Sequence, residues 1–187
     1  METNPLETRM KAHLPLQRAA ALLRFTQTGV AQKLLHQLKY HHRPEIGQFL
    51  GRLGGQKFAG HPVLKEADCI VPVPLHPAKQ KQRGYNQSMM IASGLNEACK
   101  IEIQADLIVK TEASNSQTRK NRLSRWENIR QSFALDPRCQ QDANLRNRHF
   151  LVVDDVVTTG ATAISCCREL LQLPGARVSF FAVAHPE

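Results

Sequence analysis

The sequence predicts an α/β protein built on a mainly parallel sheet with helices on both faces, and two stretches carry that expectation. The run Phe150, Leu151, Val152, Val153 is continuously apolar and rich in β-branched residues, as in a strand buried on both faces. It passes through Asp154 and Asp155 into Thr158-Thr159-Gly160-Ala161-Thr162, and then into apolar positions at helical spacing, Ile164, Cys167 and Leu171. Further upstream, Cys69-Ile70-Val71-Pro72-Val73 is a second short apolar strand. It leads through a polar stretch to a helical pattern carrying Met90, Ile91, Leu95 and Ala98. Strand, turn and helix in that order, twice, is the signature of the class.

The remaining elements follow in order. Residues 1–18 are polar, carry Pro5 and Pro15 and have no clear period, so a loosely held extension is expected. Ala19 to Phe25 reads as a short strand or a helix. From Val30 the spacing Val30, Leu34, Leu35, Leu38 marks an amphipathic helix ending near Tyr40, followed by the basic His41, His42 and Arg43. Pro44 opens another helix with Ile46, Phe49, Leu50 and Leu53 on its apolar face and Gly54-Gly55 at its end. Ala105 to Val109 predicts a strand, and the polar, basic stretch Lys110 to Arg130 predicts mobility. Pro174-Gly175 breaks the last helix, and Arg177 to Val183 reads as a closing strand.

The chemistry concentrates at the end of the 150–153 strand. In open α/β sheets ligands bind in the crevice beyond the carboxyl ends of the strands, where Asp154 and Asp155 fall. A glycine-containing turn at a helix N-terminus presents unpaired N–H groups, the positive end of the helix dipole and here three threonine hydroxyls, all suited to a phosphate. Carboxylates accept hydrogen bonds from a sugar diol. Acceptors followed by donors therefore describe a ribose 5-phosphate cradle: Asp154 and Asp155 for the ribose, Thr158, Thr159, Gly160, Ala161 and Thr162 for the phosphate. Either feature alone has a plainer reading, because Asp and Thr also cap turns and begin helices. Their combination favours a site.

Composition narrows the partners. Lys and Arg outnumber Asp and Glu by 25 to 16, a net charge of +9, which favours anionic ligands, whether phosphorylated metabolites or nucleic acid. Aromatic residues are 5% with one tryptophan, Trp126, a small supply for stacking bases. No apolar run approaches the roughly 20 residues that span a bilayer, and Met1 to Lys11 lacks a signal-peptide centre, so a cytoplasmic protein is expected. Cys69, Cys99, Cys139, Cys166 and Cys167 contain no C-x-x-C pair and read as packed thiols, not as a zinc site or disulfide frame. His36, His41 and His42 read as a solvated basic face.

Val152-Val153-Asp154-Asp155-Val156-Val157-Thr158-Thr159-Gly160-Ala161-Thr162 resembles the phosphoribosyl pyrophosphate (PRPP) motif of type I phosphoribosyltransferases. With Val71-Pro72-Val73-Pro74, Arg83-Gly84-Tyr85-Asn86-Gln87 and the region Gln117 to Phe133, the chain resembles the ComF family of competence-associated, phosphoribosyltransferase-like proteins, from about Ala20 to the C-terminus. The resemblance implies a type I phosphoribosyltransferase fold. Residues 1–60 would form an extension and helical hood, with Ala19 to Phe25 a strand, and residues 61–187 the core. It also implies that Pro74 to Gly84 is a pyrophosphate loop, with Arg83 the favoured contact, Gly84 beside it, and His76 and Lys79 secondary. Gln117, Arg122 or Arg125, and Asn128 match a polar lid pattern. The family's zinc ribbon is absent, through natural loss or because the chain is part of a longer product. Met1 rather than a cysteine opens the chain, so a glutaminase-linked domain is not expected.

The implied reaction displaces magnesium-bound pyrophosphate from C1 of PRPP by a nitrogenous nucleophile, with Mg²⁺ carried by PRPP rather than by a protein ligand set. The residues carry no signature for that nucleophile. Two other roles stay open: a sensor that binds PRPP or a nucleotide without turnover, and a DNA-uptake factor that binds single-stranded DNA or a helicase partner.

Overall fold

The computed structural model describes residues 4–25, 29–111 and 132–186. In chain order the elements are α1 (Pro5–Lys11), β1 (Ala19–Phe25), α2 (Val30–Tyr40), α3 (Pro44–Phe58), α4 (Pro62–Lys65) and β2 (Cys69–Pro72). They continue with α5 (Pro77–Arg83), α6 (Gln87–Cys99), β3 (Glu102–Ile103), β4 (Ile108–Lys110), β5 (Phe133–Leu135), β6 (His149–Val156), α7 (Ala161–Leu170) and β7 (Arg177–Pro186).

Five strands form one sheet in the order β1-β7-β6-β2-β3, and every neighbouring pair in it is parallel. The central strand β6 is buried from His149 through Val153, as its unbroken apolar sequence requires. Its residues alternate between two cores. Phe150 and Val152 pack with α1, α7 and the β4–β5 pair, whereas Leu151 and Val153 pack with α2, α3, α4 and α6. Phe150, Phe180 and Phe181 are fully buried, each contributing about 1.5–3 kcal/mol by removal from water. The result is the predicted α/β arrangement, a parallel sheet flanked by helices.

Three local expectations are corrected, and the open reading at 19–25 resolves to the strand the resemblance implied. The first 18 residues are not a loose tail. Asn4 caps α1 by accepting N–H bonds from Leu6 and Glu7, and Leu6, Met10, Leu14 and Leu16 are buried. Residues 19–25 form an edge strand in register with β7. In α3 Ile46 and Leu50 of the predicted stripe are buried, but its other half is not, since Phe49 is 52% and Leu53 38% exposed. Glycines replace it: a Cβ on Gly51 would lie 2.1 Å from the Ile91 carbonyl oxygen, and one on Gly94 2.0 Å from that of Gln48. Backbone contact between α3 and α6 therefore demands glycine on both, and α3 runs past Gly54-Gly55 to Phe58. Finally, the predicted strand at 105–109 begins later, as β4, and pairs antiparallel with β5 outside the main sheet.

Candidate functional site

The carboxyl ends of β6 and β2 lie side by side, with Pro72 in register with Val153 and the Val73 N–H donating to the Val153 carbonyl at 2.9 Å. That pairing sets the β2–α6 connection beside the aspartates. Asn86 locks it in place by donating its side-chain N–H to the Val73 carbonyl (3.0 Å) and accepting the Ser88 N–H (3.0 Å), which caps α6.

Asp154 and Asp155 are adjacent in a strand, so their side chains leave on opposite faces of the sheet. Asp154 accepts the Ser88 hydroxyl proton at 3.0 Å and the Asp155 N–H at 2.8 Å. Burial, followed by the charge of Asp155, pushes its carboxyl up to about 7, while the hydrogen bonds and Lys39 act against that rise. Asp155, 9% exposed, forms an ion pair with Lys39 at 2.9 Å. The end of α2 thus overhangs the acid pair, and the Tyr85 hydroxyl fixes it there by donating to the Leu38 carbonyl.

Beyond β6 the chain turns through exposed Thr158 and Thr159 to Gly160, whose φ of +82° lies in the left-handed region, and enters α7. A Cβ at Gly160 would also approach the Met10 sulfur to 3.2 Å, so α1 supports the turn from beneath. The Thr159 hydroxyl accepts the Ala161 N–H at 3.4 Å, and the Val157 N–H donates to the Ala184 carbonyl at 3.0 Å. No side chain of Gly160 competes for the first amides of α7. This is an anion-receptive helix start next to two carboxylates.

The predicted pyrophosphate loop is partly helical. Pro77–Arg83 forms α5, because Pro77 suits a first helical position and His76 accepts the Ala78 N–H as its cap, and Gly84 ends it at φ +80°. Arg83 donates to Gln87 Oε1 at 2.9 Å and lies over the Tyr40 ring at 5.4 Å, so its cation is already engaged one residue from Ser88. Lys79 is exposed on α5. Gln117, Arg122, Arg125 and Asn128 lie outside the described residues.

Three site residues escaped the sequence reading: Ser88, Lys39 and Lys110. Lys110 on β4 is half-buried, and its ammonium is pulled below the ordinary lysine value by burial and then by Lys79, with Asp154 opposing. These partners lie 40 or more residues from the aspartates, and only their basic or polar character was visible. A cavity of about 350 Å³ lies along β2 and β4, with Pro72, Pro74, Asn86 and Lys110 in its wall.

The described residues thus define an α/β protein whose parallel strands end on an acid pair, a left-handed glycine turn and a helix N-terminus. No family model matches the chain. Its sequence is similar to the DNA utilization protein YhgH of Escherichia coli strain K12, 31% identical over 156 residues, covering 80% of this chain and 65% of that protein. It is also similar to competence protein F of Haemophilus influenzae, 26% identical over 121 residues, 65% of this chain and 52% of that one. The match therefore spans a little under two thirds of the first relative and about half of the second. Among solved structures, a hypothetical protein from Neisseria gonorrhoeae with bound ppGpp aligns with a TM-score of 0.48 at 17% identity, over 76% of this chain and 68% of that one. The glutamine PRPP amidotransferase of B. subtilis, complexed with ADP and GMP, aligns at 0.47 and 17% identity, over 78% and 30%. No helix among the described residues is long and apolar enough to cross a membrane.

Proposed function

We propose that the chain is a phosphoribosyltransferase-like protein of the ComF kind. It binds PRPP with Mg²⁺ and transfers the phosphoribosyl group to a nitrogenous acceptor, acting in the cytoplasm in DNA utilisation or competence. One observation carries this reading: the acid pair that ends β6 stands immediately before a left-handed glycine turn and the open N-terminus of α7. Ribose hydroxyls and a 5-phosphate are the ligand groups whose spacing matches acceptors followed by donors.

In this reading the 5-phosphate accepts hydrogen bonds from the backbone and hydroxyls of 158–162, and the ribose hydroxyls donate to the aspartates. Asp154 and Asp155 leave the strand on opposite faces and are held by Ser88 and Lys39. They suit hydroxyl donors better than joint chelation of a bare cation, which asks for several converging oxygens. Mg²⁺ would come with the substrate and would supply charge neutralisation for the leaving group, while Asp154 and Asp155 hold the ribose. With the ribose fixed, the C1–oxygen bond to pyrophosphate breaks through an oxocarbenium-like state and a C1–nitrogen bond forms. Lys110, Lys79 and Arg83 supply a positive field for the departing charge, and the hood formed by the end of α2 limits water. The cavity along β2 and β4 is the space in which the acceptor is expected.

The relatives' names, DNA utilization protein and competence protein, favour a second reading, in which the same fold engages DNA through the chain's net charge of +9. The experiment that separates them is pyrophosphate release from PRPP and Mg²⁺ with ammonia or a panel of nucleobases as acceptor. Release that disappears in Asp154→Asn with Asp155→Asn supports transfer. Absence of release with every acceptor, together with DNA binding that strengthens steeply as salt is lowered, supports the second reading.

A further inference from the structure

A groove of about 630 Å³ runs between α1, β1 and the end of α3. It shares no lining residue with the acid pair, the turn at 158–162 or the cavity along β2 and β4. Its size is that of a small-molecule site. The main chain of β1 is largely engaged there. The Ala19 N–H donates to Glu7 Oε2 at 3.0 Å, the Ala19 carbonyl accepts from Asn4 Nδ2 at 2.7 Å, and the Leu22 carbonyl accepts from Lys57 at 3.3 Å. Recognition in the groove therefore falls to side chains.

Those side chains are of two kinds. Leu23 and the Phe58 ring form an apolar wall, and Phe58 is fixed by edge contacts with Phe181 at 5.8 Å and His61 at 5.7 Å. Arg24, Lys57, His61 and His185 supply the charge, and no carboxylate among the described residues lines the groove with them. Lys57 uses one ammonium hydrogen on Leu22 and keeps two. His61 accepts the Val63 N–H at Nδ1 (3.1 Å), which puts its ring proton on Nε2 and makes that atom a donor whether the ring is neutral or charged. Positive charge is in excess here. Burial, then Arg9 and Arg24, hold the His185 ring below its ordinary value. Arg9 Nε and Nη2, the paired donors of a guanidinium fork, are buried without a hydrogen-bond partner.

A phosphomonoester dianion brings three terminal oxygens to such a set of separate donors, where a carboxylate brings two oxygens and a single charge. The apolar wall calls for an uncharged body behind the anion. We propose that the groove is a second ligand site that takes a phosphomonoester. Its phosphoryl oxygens accept from Arg24, Lys57 and His61 Nε2, and its apolar body lies against Leu23 and Phe58. The site is separate from the transfer reaction proposed above and stands without it.

The test is histidine-ring NMR of the intact chain titrated with phenyl phosphate. Benzoate, phenol and inorganic phosphate serve as comparators, and AMP and hexyl phosphate as nucleotide-like and lipid-like competitors. Phenyl phosphate should bind with a Kd on the order of 0.1 mM, about tenfold tighter than any comparator, and should shift the His61 and His185 rings. The bound anion should also raise the pH at which His185 titrates. Lys57→Met with His61→Asn, in which the asparagine still accepts the Val63 N–H, should weaken binding about tenfold, read at His185. Whichever of AMP and hexyl phosphate displaces the probe at lower concentration names the source of the phosphoryl group. Binding that leaves both rings unmoved, equal affinity for benzoate, or no displacement by either competitor would overturn the proposal. The ring shifts are read on the unmodified protein, so the result stands even where the variant misfolds.

Discussion

Asp154→Asn is expected to stabilise the protein above neutral pH. Burial and the neighbouring Asp155 raise the Asp154 carboxyl from 3.8 to about 7, so folding favours its protonated form. Between those two values the folded chain holds a proton that the unfolded chain has released. Stability from this group is therefore full below about pH 4, falls as pH rises, and is lost above about 7. The full change corresponds to about 4 kcal/mol, more than half of which falls between pH 5 and pH 8. Partial solvent contact at the strand end screens some of it, so about 1–3 kcal/mol is the expected figure. Asparagine keeps an oxygen to accept from Ser88 and from the Asp155 N–H, and carries no charge. Urea unfolding of both proteins at half-unit steps from pH 5 to 8 isolates Asp154 and the groups it couples to, because every other group cancels in the difference. The variant should gain on the wild type by that amount over the range. A constant difference, or a variant that loses ground as pH rises, would refute the assignment of a destabilised carboxylate at this position.

Three further expectations follow from the same contacts. Lys39→Met removes the cation that pairs with Asp155 and opposes the rise at Asp154, so carboxyl-resolved NMR titration should show Asp154 moving further upward; a downward move would contradict the pairing. Gly94→Ala places a methyl 2.0 Å from the Gln48 carbonyl oxygen and should cost about 2–4 kcal/mol in urea unfolding, whereas a cost under 1 kcal/mol would show that α3 and α6 separate freely. Gly160→Ala forces a side chain into the left-handed region and against Met10, and should cost about 1–2 kcal/mol and weaken ribose 5-phosphate binding at least tenfold by calorimetry. Unaltered affinity would take the turn out of the phosphate site.

Much of the sheet was legible in the sequence, because β6 and its turn combine several local signals: an unbroken β-branched run, paired carboxylates and a glycine before a helical period. The α3 face was not, because hydropathy follows Phe49 and Leu53 and gives no weight to glycines whose role depends on α6 approaching to backbone contact. α1 was missed because two prolines in 18 residues suggest irregularity, although Asn4 before Pro5 and the Leu6–Met10 spacing are its cap and buried stripe. The first residues of the site, Asp154, Asp155 and Gly160, were visible from local order. Ser88 and Lys39 were not, since a hydroxyl and an ammonium become partners of particular carboxylates only when α6, α2 and β6 are brought together. Arg83 stands where the sequence put it, before a glycine and a helix start, and its contacts with Gln87 and Tyr40 were not legible because they depend on how α2 and α6 meet.

The most direct test of the ribose-phosphate reading is calorimetric titration of the wild-type chain with PRPP, with and without Mg²⁺, beside the variant carrying both Asp154→Asn and Asp155→Asn. Magnesium-dependent binding that the double variant loses while remaining folded is the predicted result. Absence of binding in the wild type, or equal affinity in the two proteins, would contradict the account and move the site's purpose to another ligand.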